Sequence, residues 1–400
     1  MTTARTATSS PTVVLATLFA GAFVMGCAEM LVVGMLDLIT VDLEVSVPEA
    51  GALVTANALG LAIGGPLLTL LTTRFDRRPV LLATLVVFVL ANLLPALGAD
   101  YGVFLVARVG IGAVQGLFIA AAMVTATKMV PPERAGRAMA VIITGFASAS
   151  ALGLPLGTLL GQAVGWRGSF VAVVAAGALL LAIAAVVLPS VPTAGESRAA
   201  GQARFAFAPR VLAVLALAVL VFAALQSAVT YLVPFLAEVT DVSGPAVGAY
   251  LLAYGVATTI GSFVGGRFAD ANATRALVIG AMGVTAALLV MFGLGGGPVA
   301  VAVAVLGVGF FGMATGPSLQ HRVVSLAGPG APLAASLPAS AVNAGIAGGA
   351  FAGGVAIDFG GIPVAPLMGA AIGAVAIVVA WATGFLKPAA VAAPVPASTH

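Results

Sequence analysis

Charge is what this chain lacks most. Charged residues make up 7% of its 400 positions, where soluble domains carry about 25%. So few charges cannot clothe a soluble surface of this size, which excludes an ordinary water-soluble globule. Cysteine is nearly absent: Cys27 stands alone, which excludes a disulfide framework and a cysteine-based metal site. The two histidines, His321 and His400, are too few for a histidine-rich metal centre. The apolar runs also lack paired carboxylates, a histidine cluster, or a nucleophile with its base. No enzyme, cofactor or metal is therefore expected. Sixteen Lys and Arg against thirteen Asp and Glu leave a charge of +3. These basic residues sit in short loops and form no stripe, so nucleic acid is not an expected partner.

What the chain has in abundance is apolar sequence, 61% of the total. A helix needs roughly 20 apolar residues to cross a bilayer. That ruler predicts an all-α membrane protein with twelve spans: 12–36, 49–73, 79–99, 101–127, 137–160, 167–189, 210–237, 245–268, 274–295, 298–322, 332–357 and 363–386. The polar stretch 190–209 reads as a cytoplasmic linker between an N-terminal six-helix bundle, 1–189, and a C-terminal one, 210–387. Residues 388–400 read as a disordered cytoplasmic tail.

With both termini cytoplasmic, Arg5, Arg74, Arg77, Arg78, Lys128, Arg134, Arg137 and most later basic residues fall inside. That is the asymmetry that resistance of cations to translocation produces. The two halves also resemble each other as pseudo-repeats. Gly60 and Gly64 precede Arg74-Phe75-Asp76-Arg77-Arg78 in span two. Gly255 and Gly261 precede Gly266-Arg267-Phe268-Ala269-Asp270 in span eight. Such repeats suit a transporter whose halves rock about a midplane site.

Glu29 is the acidic residue with the longest apolar flanks. Lipid penalises its charge, and an arginine in another span, Arg108, compensates it. Substrate or conformation then toggles its proton. A static ion pair, or an Arg108 that snorkels to the outer face, is the alternative. Asp37 lies two turns further along, at the outer mouth, as a secondary coupling candidate. Asn57, Gln115, Gln226, Tyr231, Tyr254 and Asn343 are polar residues within spans, and Phe146 offers an apolar face. They line a central substrate cavity or tie helices together. Gly153, Gly157 and Gly161 recur every four residues and share one face of span five with Gly145 near it. Small residues let helices approach closely in lipid, and Pro155 removes a backbone hydrogen bond. Gly307-Val308-Gly309-Phe310-Phe311-Gly312 fits a dinucleotide-binding spacing, but that motif needs a soluble βαβ unit, so helix packing is expected.

The Gly-rich helix running into Arg74-Phe75-Asp76-Arg77-Arg78-Pro79 resembles the loop signature of the major facilitator superfamily. The likeness implies gating loops at Arg74, Asp76, Arg77, Arg78 and Asp270. Thr73 stands where the family usually has Asp, and Asp76 where it usually has Gly. Gly145, Gly153, Pro155, Gly157 and Gly161 are similar to the antiporter signature of drug:proton exporters in that family, and Arg108 to its buried span-four arginine. Glu29-Met30, Gly34-Met35-Leu36, Asp42-Leu43-Glu44 and Gly165-Trp166-Arg167 resemble the arabinose-efflux, purine-efflux and chloramphenicol-resistance permeases. The likeness implies export of small amphiphilic molecules in exchange for protons, by a monomer in a bacterial inner membrane. A proton-coupled or facilitative sugar or nucleoside permease is the alternative.

Overall fold

The computed structural model describes residues 10–98, 100–131, 134–191, 204–335 and 337–387. Among them the regular structure is helical throughout. The first half comprises α1 (Pro11–Gly34), α2 (Leu36–Leu43), α3 (Val47–Leu59), α4 (Gly65–Leu71), α5 (Arg77–Ala96), α6 (Tyr101–Lys128) and α7 (Ala135–Val187). The second half comprises α8 (Pro209–Val229), α9 (Leu232–Glu238), α10 (Pro245–Gly293), α11 (Pro298–Ala327), α12 (Leu337–Gly360) and α13 (Val364–Thr383). Most of the expected linker, over 192–203, and the tail 388–400 lie outside the described residues.

In lipid every backbone polar group must be satisfied internally, and helices do this within one segment. Three helix starts, those of α1, α3 and α6, carry side-chain caps. Ser46 and Glu49 form a reciprocal capping box ahead of α3, with the Ser46 N–H donating to Glu49 Oε2 at 2.7 Å. Asp100 Oδ1 accepts from the Val103 N–H at 2.9 Å ahead of α6. The outer surface is apolar, with Val186 82%, Phe263 77% and Phe359 89% exposed. Those exposures are sensible only against hydrocarbon.

Eleven helices among the described residues are long and apolar enough to cross a membrane. The difference from twelve arises in α7. There Leu152–Val187, which runs across the break at Gly165, counts as one 36-residue span. The backbone of α7 breaks once, at Gly165, with φ 74° and ψ 165°. That left-handed φ favours glycine. The corner is held from outside α7: Trp166 stacks on Phe104 at 5.8 Å between centroids, its indole N–H donates to Asp42 Oδ2 at 3.2 Å, and Arg167 pairs with Asp42. α10 is likewise two helices joined at Asn272. Pro155 stays within helical backbone, so the break in α7 is glycine's doing.

Within the first half α1 packs on α7, and α5 on α6. Within the second α10 packs on α11, and α8 on α12 and α13. Across the halves α3 meets α12, and α7 meets α10.

Candidate functional site

Four side chains that the sequence singled out come together between α1, α3 and α6. Arg108 is 0% exposed, Glu29 3%, Gln115 0% and Asn57 0%. Arg108 reaches inward instead of snorkelling. Its Nε donates to the Leu53 carbonyl at 3.2 Å, Nη1 to that of Ala28 at 3.1 Å, and Nη2 to that of Glu29 at 3.4 Å. A buried cation is tolerated when its donors are used and an opposite charge lies near. Here carbonyls of α1 and α3 use the donors, and the Glu29 charge acts on the guanidinium.

The Glu29 carboxylate and the guanidinium make no direct ion pair, so the static pair is not what holds them. Glu29 Oε2 accepts instead from Gln115 Nε2 at 2.9 Å. Gln115 also donates weakly to the Met25 carbonyl at 3.4 Å and accepts from Asn57 Nδ2 at 3.4 Å. Asn57 Oδ1 is buried without a partner. The carboxylate thus lies among amides and a guanidinium inside the bundle, away from lipid.

Close backbone approach makes this cluster possible. A Cβ at Gly112 would strike the carbonyl of Asn57, and one at Gly60 the carbonyl of Val109. Small residues therefore bring α6 against α3 and the π turn Gly60–Gly64. On the other side, Gly145, Gly153, Gly157 and Gly161 of α7 face α1. Cβ atoms added there would meet the Phe19 carbonyl at 2.6 Å, Cys27 Cα at 3.0 Å, Leu31 Cα at 3.2 Å and Met35 at 2.8 Å. Phe146 lies on the same seam, its ring near Gly26.

The remaining cavity candidates find local partners. Gln226 donates to Thr230 Oγ1 at 3.0 Å, and Asn343 to the Ala339 carbonyl at 2.9 Å. The Tyr231 hydroxyl donates to the Ala350 carbonyl at 2.7 Å, and Tyr254 is buried beside a small apolar void of about 10 Å³. Tyr231 also fills the seam between the halves. A Cβ at Gly51 would strike its ring and hydroxyl, and one at Gly354 would lie 2.7 Å from the hydroxyl and 3.4 Å from Pro48 Cβ. Asp37 is exposed on α2 and shares no contact with Arg108.

The loop after α4 ties to the end of α7: Arg78 Nη2 donates to the Ala185 carbonyl at 2.7 Å, Asp76 accepts from Ser190 Oγ at 3.3 Å, and the Arg77 N–H donates to the Val191 carbonyl at 3.1 Å. Arg74 lies over the Phe75 ring at 5.3 Å. The Asp270 side chain is outside the described residues. Gly309, within the decoy glycine motif, faces the Tyr254 backbone on α10. Sequence reasoning missed the carbonyls that hold Arg108 and the Tyr231–Gly51 seam. A carbonyl leaves no mark in a sequence, and a glycine does not name what it touches.

A bundle of helices long and apolar enough to cross a bilayer, with a lipid-facing apolar surface, defines a multi-pass membrane protein. The Major Facilitator Superfamily model matches residues 18–335, and the chain belongs to that family. It is 31% identical to the inner membrane transport protein YdhP of Escherichia coli K12 over 92% of this chain and 95% of that one. It is also 31% identical to a chloramphenicol resistance protein of Streptomyces lividans over 81% and 84%. Its fold is similar to the inward-facing, unoccupied structure of a bacterial homologue of the human lysosomal transporter Spinster, with a TM-score of 0.80 at 15% identity over 93% and 96%.

Proposed function

We propose that this protein exports small amphiphilic molecules in exchange for protons, by alternating access of two six-helix bundles across a bacterial inner membrane. The observation that carries the reading is Glu29. It is a carboxylate 3% exposed in a membrane span, held by one neutral amide and coupled to one buried arginine. An intramembrane ionisable residue is by default a functional one, and a carboxylate so placed gains or loses a proton as its surroundings change.

In this reading Glu29 carries the proton and Arg108 fixes its environment, with Asp37 at the mouth as a secondary site. Asn57, Gln115, Phe146, Gln226, Tyr231, Tyr254 and Asn343 face the cargo path as the bundles move. The α7 break at Gly165 divides that helix into two crossings, giving twelve spans with both termini cytoplasmic. The loop charges Arg74, Asp76, Arg77, Arg78 and Asp270 latch helices on the cytoplasmic side, and Gly145, Gly153, Pro155, Gly157 and Gly161 form the antiporter helix. The end that carries Pro48, Gly51, Tyr231 and Gly354 is then the outer one. Its tight seam supports a state closed to the outside. The protein works as a monomer.

The similarity to a chloramphenicol resistance protein supports a drug or metabolite as cargo. The test is a resistance and efflux panel in a pump-deleted bacterial host, including chloramphenicol, purine nucleosides and pentoses. The reading predicts raised resistance to, and lowered accumulation of, at least one compound. Raised accumulation of a sugar or nucleoside would favour an importer instead.

A further inference from the structure

We propose that Gln115 is the positioning residue that reads the proton on Glu29 and relays it to α3 by reversing a chain of side-chain hydrogen bonds. The proposal rests on the reading of Glu29 as the proton carrier.

The chain has a direction. Asn57 Nδ2 donates to Gln115 Oε1 at 3.4 Å, and Gln115 Nε2 donates to Glu29 Oε2 at 2.9 Å. Both side-chain to side-chain bonds run toward Glu29, with Gln115 Nε2 also donating weakly to the Met25 carbonyl at 3.4 Å. At the far end Asn57 Oδ1 is left buried with no partner. An ionised carboxylate offers acceptors alone, so this direction suits it. A protonated Glu29 carries an O–H that must find an acceptor in a site shielded from solvent, where the residue is 3% exposed. Gln115 Oε1 becomes that acceptor if the amide turns over. Gln115 Nε2 then faces Asn57, whose free Oδ1 accepts from it once Asn57 also turns.

Two amide rotations reverse the chain without moving a helix or breaking a covalent bond: the Gln115 hydrogen bonds to Glu29 and Asn57 re-form with donor and acceptor exchanged, and the weak one to the Met25 carbonyl is lost. The far end of the chain changes from an unpaired acceptor to an unpaired donor. That end stands on α3, which packs against α12 of the second half, where Thr55 Oγ1 approaches the Ala347 carbonyl at 3.5 Å. Protonation on α1 thereby alters what α3 presents near the seam between the halves. The charged group bearing on Glu29 is Arg108 of α6. α7 faces this stretch of α1 with Gly153 and Gly157 beside Cys27 and Leu31, and α3 contributes Asn57 through Gln115.

The test uses protons as the probe and needs no cargo. The full chain, with its glutamine side chains carbon-13 labelled at the carboxamide, is reconstituted in vesicles and followed by pH-difference infrared spectroscopy. Acidification should raise a neutral-carboxyl band that Glu29→Gln removes. A labelled amide band should shift with the same midpoint. That shift should vanish in Gln115→Leu, and in the milder Gln115→Asn, which keeps an amide but falls short of the carboxylate. A Glu29 band that titrates with no amide shift overturns the relay and leaves the coupling role standing. A carboxyl band that survives Glu29→Gln overturns both.

Discussion

At the scale of single residues, two charged side chains, Glu29 and Arg108, stand buried inside the bundle. Arg108 matters as a fork and not only as a charge, because its three nitrogens reach carbonyls on two helices. Lysine offers a point charge without that planar geometry. Arg108→Ala strips the carbonyls of Leu53, Ala28 and Glu29 of their donor, and each buried acceptor left unpaired costs about 1–3 kcal/mol. Thermal unfolding in detergent should show a lowered midpoint for Arg108→Ala, with a partial loss in Arg108→Lys. An unchanged midpoint in both would mean that the carbonyl cradle does not hold α1, α3 and α6 together. Both charges were legible in the sequence, because a Glu and an Arg inside apolar runs stand out. Their partners were not. The sequence offered Arg108 as the partner of Glu29, with a static ion pair as the alternative, whereas the carboxylate's hydrogen bond comes from Gln115 and those of the guanidinium go to backbone.

Among the elements, glycine spacing decides which helices touch. The period of four in α7 was visible in the sequence, but the partner was not, since a small face is agnostic about its neighbour. The structure turns that face to α1, with Leu31 Cα 3.2 Å from where a Cβ at Gly157 would stand. Gly157→Leu should therefore abolish transport while the protein still inserts and accumulates in the membrane, as read by cellular efflux beside an immunoblot of membranes. Wild-type efflux in that variant would remove α7–α1 packing from the account. The same physics explains the span count. Trp166 and Arg167 follow the Gly165 corner, and their contacts with Phe104 and Asp42 pin the turn between two separate helical runs. Apolar periodicity saw two spans there, because it weighs the Trp-Arg pair as a boundary.

For the whole molecule, the apolar composition and the repeated loop motif already pointed to a two-bundle transporter, and family membership follows from the match over 18–335. What composition leaves open is how the bundles meet. Pro48 and Gly51 of the first half press on Tyr231 and Gly354 of the second, a seam made of small residues and one ring that no hydropathy pattern reveals. Under the proposed alternating access such a seam opens while another closes, and in that proposal proton exchange at Glu29 supplies the bias. The most direct measurement takes inside-out vesicles with an acid lumen and the compound identified by the efflux panel. The account predicts that the compound enters the lumen as the lumen turns alkaline, and that both signals disappear in Glu29→Gln. Uptake that ignores the pH gradient, or that persists in Glu29→Gln, would contradict it.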